Sequence, residues 1–204
     1  MEIILASASP RREALLAQIG VPFRVEPSRV SEEGVGAPGD PASFVEQAAL
    51  AKAEEVARRV GDGLVLGADT AVVIGSQVLG KPAYATEAHT MLQRLSGATH
   101  RVYTGLALVR VEQGGVTCRR STHEMTRVTM RRLEDREIAA YVATGEPFDK
   151  AGAYGIQGRG AVLVERIEGC YFNVVGLPLA RLADLLGEFG VSVWEDERGA
   201  EANR

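Results

Sequence analysis

The chain has 204 residues, 46% of them apolar and 25% charged, with a formal net charge of −4. These are ordinary values for a globular domain, or one domain split into two lobes, burying about 70% of its unfolded surface. The acidic balance argues against a general DNA or RNA binder.

Residues 2–6 form an apolar run that predicts a first, interior strand. Ser9 and Pro10 then suit the cap and first turn of a helix that stops at Gly20. A second strand is expected over 22–26, and a loop rich in Gly, Pro, Ser and Glu over 27–40. Asp40-Pro41 predicts the start of a long amphipathic helix, 41–60. Residues 64–68 read as a buried strand, which 71–80 continue through a turn at Gly75-Ser76 into a short hairpin partner. Thr86 is the expected cap of a helix ending near Ser96-Gly97. Long strands over 100–109 and 116–128, joined at Gly114-Gly115, precede a helix at 134–143. A second glycine-rich loop covers 144–160, and 161–167 with 170–175 reads as a hairpin. The last helix is expected over 177–186, in one domain of residues 1–194 with a polar tail, 195–204. Strands alternate with helices early and form hairpins later. The fold class is therefore α/β, with a mixed, partly antiparallel twisted sheet flanked by helices. No glycine-rich dinucleotide fingerprint follows the first strand, and there is no Walker-type phosphate loop.

Cys118 and Cys170 lack metal-ligand spacing and are expected to be reduced and half-buried; a disulfide between them is the alternative. The N-terminal apolar run is too short for a signal peptide, and no segment approaches the ~18 apolar residues of a membrane span. The expectation is a cytoplasmic protein without a membrane partner. His89, His100 and His123 have no metal spacing among themselves.

The chain has only three lysines, Lys52, Lys81 and Lys150, against 20 arginines. Lysine is not interchangeable with arginine where a compact ammonium must sit between oxygens, as at a phosphate site. Ser7, Ser9, Arg11 and Arg12 lie where a strand end feeds a helix N-terminus. Free N–H groups, hydroxyls and guanidinium groups there suit an anion, against the plainer reading of a helix start with two solvated arginines. Asp69 and Thr70 follow the buried strand, and the hairpin places Asp69 within about two residues of facing Lys81. That pair is either a structural ion pair or a carboxylate for metal or water beside a phosphate-binding lysine. Glu32 and Glu33 are solvated loop acids, unless the loop folds over and one ligates a divalent cation with Asp69. In 149–158, Gln157 offers an amide to a base edge and Tyr154 a ring for stacking, unless the loop is only structural.

Together, Leu5-Ala6-Ser7-Ala8-Ser9-Pro10-Arg11-Arg12, residues 49–53, Gly67-Ala68-Asp69-Thr70 and Leu79-Gly80-Lys81-Pro82 resemble the Maf-like nucleotide pyrophosphatases. Residues 91–100, 149–158 and 175–178 extend the likeness from Leu5 to about Leu186. The resemblance implies two lobes around a deep groove, similar to the inosine-triphosphate pyrophosphatases. It implies metal-dependent hydrolysis (Mg²⁺ or Mn²⁺) of a nucleoside triphosphate between its α and β phosphates. By matched position, Asp69 resembles the catalytic proton acceptor. Glu33, Lys52 and Lys81 resemble the metal- and phosphate-handling set, with Glu33 and Asp69 as metal ligands. Arg11, Thr70 and Gln157 resemble positions that tune substrate choice, and Tyr154-Gly155-Ile156-Gln157-Gly158 resembles the dTTP- and UTP-directed subgroup. A nucleotide-binding regulator of septum formation is the alternative from another class. A homodimer is expected only because such dimers are common.

Overall fold

The computed structural model describes residues 2–30 and 40–194. Glu32, Glu33 and the tail 195–204 lie outside these described residues. Among the described residues, seven strands form one mixed sheet: β1 (Ile3–Leu5), β2 (Phe23–Val25), β3 (Gly63–Ile74), β4 (Gln77–Leu79), β5 (Thr99–Glu112), β6 (Gly115–Met130) and β7 (Val164–Glu168). The order is β2-β1-β3-β5-β6-β7. β1 runs parallel to β2 and β3, and the remaining pairs are antiparallel. Six α-helices accompany them among the described residues: α1 (Pro10–Gln18), α2 (Pro41–Ala57), α3 (Ala85–Leu95), α4 (Asp135–Val142), α5 (Tyr171–Val175) and α6 (Leu179–Glu188). No helix among the described residues is long and apolar enough to cross a membrane.

β3 positions the site. β5 pairs along one of its edges from Gly63 to Val73. The other edge is shared: β1 pairs with Leu64–Leu66 and β4 with Val72–Ile74. Between them, on that edge, residues 67–71 have no strand neighbour among the described residues, and the chain leaving β1 and the chain leaving β4 both converge on that gap. This is the strand-end crevice where open α/β sheets place ligands.

α2 lies against one face of β3 and β5 because two glycines let it approach. A Cβ on Gly67 would sit 2.1 Å from the Ala49 carbonyl oxygen, and one on Gly105 2.2 Å from that of Val45. The helix starts where Asp40 accepts bonds from the Ala42 and Ser43 amides, which satisfies two of its free donors.

Side chains along β3 alternate faces. Leu64, Leu66 and Ala68 join one apolar cluster with β1, α1 and α6, whereas Val65 joins α2. Further along, Val72 joins a second cluster with α3 and α4. Asp69 and Thr70 are the partly exposed break between them.

Some local expectations are corrected. Tyr84, not Thr86, is the cap position of α3, and the Glu87 carboxylate accepts the Ala83 amide there. The β5–β6 turn is Gln113-Gly114, both with positive φ, so Gly115 already belongs to β6. Residues 171–175 are helix α5 rather than a strand; β7 pairs with β6 instead. A short apolar run does not by itself distinguish strand from helix. Cys118 and Cys170 are free and partly buried.

His100, at the start of β5, is 1% exposed, and its Nε2 lies 2.7 Å from the Tyr154 hydroxyl. Burial pulls its pKa from 6.5 down to about 4. The unfolded chain therefore takes up this proton first as pH falls. Stability is fully present above pH ~6.5 and declines towards pH ~4, by up to about 3 kcal/mol from this group. Thermal unfolding at pH 7 and pH 4.5 should show a smaller acid loss for His100→Gln than for the parent. An equal loss would assign the acid sensitivity elsewhere.

Candidate active site

The gap beside β3 opens into a cavity of about 520 Å³. Ser7, Ser9, Arg11, Arg12, Lys52, Asp69, Thr70, Lys81 and Gln157 all line it. The structure thus brings together every described residue singled out from the sequence for catalysis or substrate binding. Glu33 is outside the described residues.

Asp69 faces α2, and its partner there is Lys52: Nζ donates to Oδ1 at 2.6 Å. The hairpin register, with Val72 opposite Leu79, also brings Lys81 within about two residues of facing Asp69, as the sequence implies. Helix packing across the sheet supplies the nearer lysine, and Lys81 lines the exposed side of the cavity just beyond β4. The side chains of Lys52 and Asp69 are 11% and 15% exposed, so their attraction is weakly screened. Asp69 Oδ2 makes no hydrogen bond among the described residues.

Ser9 holds the cap position of α1, yet its hydroxyl makes no capping bond. Instead Ser7 Oγ accepts the Ser9 amide at 3.2 Å. Arg12 ties the walls together: Nε donates to the Gly176 carbonyl at 2.9 Å, and its two terminal nitrogens donate to Ser7 Oγ and Thr70 Oγ1. Gly176 is required here by its φ of +120° rather than by space, since an added Cβ would meet Arg12 Nε only at an ordinary 3.6 Å.

Thr70 continues into a polar chain that the sequence did not reveal. Its hydroxyl shares a hydrogen bond with Thr104, whose hydroxyl donates to the Asn173 carbonyl. The Asn173 amide donates to the Val102 carbonyl and to Thr126 Oγ1. Thr104, Thr126 and Asn173 are fully buried. An asparagine inside the apolar stretch 171–177 was the only sequence signal for them. Buried and bonded, the chain fixes the wall that carries Thr70.

The loop 144–160 folds as successive short 3₁₀ turns, Glu146–Asp149, Ala151–Ala153 and then Gly158–Leu163. Gln157 caps the last of these and is exposed at the cavity, its amide without a hydrogen bond among the described residues. Tyr154 does not offer the expected stacking face. It is 5% exposed, packs edge-on against His100 and gives its hydroxyl to that contact.

A divalent cation needs oxygen donors. Among the described residues no three or more His, Cys, Asp or Glu side chains cluster to hold one. Asp69 offers one carboxylate oxygen inside the cavity, which fits Mg²⁺, an ion that takes one or two carboxylates and completes its shell with phosphate and water.

A family model described as "Maf-like protein" matches residues 2–189. A "dTTP/UTP pyrophosphatase" of Moorella thermoacetica is 57% identical over 195 residues, 95% of this chain and 97% of that protein. Proteins with the same description from Pelotomaculum thermopropionicum and Bacillus cereus (strain ATCC 14579) are 51% and 50% identical. Each alignment covers 94% of this chain and 97–98% of the relative. Among solved structures, a HAM1 protein from Coxiella burnetii shares the fold, with a TM-score of 0.50, 18% identity and 80% of each chain covered.

Proposed function

This chain belongs to the Maf-like family, and from that premise we propose that it hydrolyses dTTP and UTP to the monophosphate and pyrophosphate. The observation that carries the reading is the Lys52–Asp69 pair, with Asp69 on the stretch of β3 between its β1 and β4 pairings, lining a 520 Å³ cavity. A buried lysine beside a carboxylate, with a helix N-terminus and arginines close by, suits phosphoanhydride cleavage. That reaction is almost wholly positioning and charge neutralisation.

Asp69 Oδ2 orients a water towards the α phosphorus and accepts its proton as the new P–O bond forms. The bond from the α phosphorus to the α–β bridging oxygen breaks, and pyrophosphate leaves with the electron pair. Lys52 and Lys81 neutralise the charge gathering on that leaving group. Ser7, Ser9 and the free amides at the start of α1 hold the phosphate chain, with Arg12 keeping Ser7 and Thr70 in place. Arg11 reaches the nucleotide from the groove mouth, and Gln157 pairs with the O4/N3 edge of uracil or thymine. A divalent cation held by Asp69, with Glu33 as the second carboxylate, would supply further neutralisation of the triphosphate.

Pyrophosphate release from dTTP, UTP, CTP and 7-methyl-GTP, each with Mg²⁺, Mn²⁺ or EDTA, tests this reading. Release from dTTP and UTP is expected to exceed the others by about tenfold or more, since a site built to bond one base edge rejects another. EDTA should abolish it. Nucleotide binding without turnover in either metal would overturn the reading.

A further inference from the structure

Lys150, the third of the three lysines, has no place in the chemistry above, yet it lines the same cavity. Its Nζ donates to the Asp149 carboxylate at 2.6 Å and to the Glu146 carbonyl at 2.5 Å. The other Asp149 oxygen accepts Arg11 Nη1 at 2.6 Å, and Arg11 Nη2 donates to the Asp149 carbonyl at 3.4 Å. Arg11 belongs to α1 and Asp149 to the first 3₁₀ turn of the glycine-rich loop, so these bonds join two elements that both line the groove.

The far side of the contact is anchored. The Glu146 carboxylate accepts the Arg159 and Gly160 amides and the Tyr141 hydroxyl, each at 3.0 Å. The loop is thereby fastened to α4 before Lys150 and Asp149 project from it. Burial alone would raise the pKa of Asp149, but its bonds from Lys150 and Arg11 outweigh this and hold it below its ordinary value.

We propose that Asp149 is a positioning residue, held by Lys150, that presents Arg11 to the nucleotide across the groove mouth. The claim rests on the reading that this groove takes a nucleoside triphosphate. The Asp149 and Arg11 side chains are 59% and 26% exposed, so the pair adds little to stability. Its value lies in order: an arginine side chain is among the most entropically costly to fix, and here it is fixed before the ligand arrives. Two cations flank the one carboxylate, so the cluster still presents net positive charge to a polyanion.

Asp149→Asn should raise KM for dTTP about five- to tenfold with kcat within about twofold, because only the presentation of a binding group is lost. In an Arg11→Ala background the same change should alter KM by less than about twofold, the non-additivity of residues acting through one contact. The thermal midpoint should stay near that of the parent. A KM that falls would mean that Asp149 competes with the nucleotide for Arg11. An equal rise in both backgrounds would mean a merely structural role. Either outcome overturns the proposal. Nitrogen-15 NMR of the Arg11 guanidinium, without nucleotide, gives a reading independent of turnover. Rotation about its Nε–Cζ bond should be slow in the parent and fast in Asp149→Asn. If the parent does not hydrolyse dTTP, the functional reading fails while the NMR still tests the positioning; free rotation in the parent overturns the latter.

Discussion

Asp69→Asn is expected to lower pyrophosphate release from dTTP by about 10²- to 10⁴-fold, the range a positioned general base contributes. Asparagine preserves shape and an acceptor towards Lys52. It removes both the proton acceptor and the negative charge that a cation in the groove would use. Asp69 lies on β3 between the β1 and β4 pairings, and its Oδ2, which makes no hydrogen bond among the described residues, is available to the cavity that Asp69 lines. The variant also removes the Asp69 charge from beside an 11%-exposed lysine, so circular dichroism and thermal unfolding must accompany the assay. A folded variant that retains turnover within about twofold of the parent would remove Asp69 from the chemistry.

Gly67→Ala should destabilise the protein by about 3 kcal/mol or more, at the upper end for overpacking. The added methyl group would lie 2.1 Å from the Ala49 carbonyl oxygen and 3.0 Å from Ala53. These are backbone and short-side-chain atoms of α2 that cannot rotate away. Relief requires the helix to rise off the sheet, which also draws Lys52 away from Asp69. Activity should therefore fall further than the unfolded fraction explains at a temperature where the variant is folded. Gly187→Ala is the control. Gly187 lies in α6 with nothing within 4 Å of its added Cβ, so the change should be neutral or stabilise by up to about 1 kcal/mol. Denaturant unfolding of both variants measures the contrast, and equal midpoints would refute the packing argument.

Much of the site was legible in the chain because its signals are local. Ser9-Pro10 marked α1, Asp40-Pro41 marked α2, and Gly75 turned β3 into β4. Each depends on dihedral preferences or capping within a few residues. The scarcity of lysine drew attention to Lys52, Lys81 and Lys150, and all three line one cavity. The helix at Tyr171–Val175 was read as a strand because five residues carry too little periodicity to decide between the two.

By itself, then, the sequence determined the order of strands and helices as far as β7, the mixed α/β class and the ordered motifs of the family, since short-range preferences and hydrophobic patterning suffice for these. Tertiary structure alone decided which residues meet. Lys52 reaches Asp69 because Gly67 and Gly105 admit α2 against the sheet. Arg11 reaches Asp149, 138 positions away, because α1 and the loop line one groove. Pairings of that kind arise from packing between segments remote in the chain, and no local propensity encodes them.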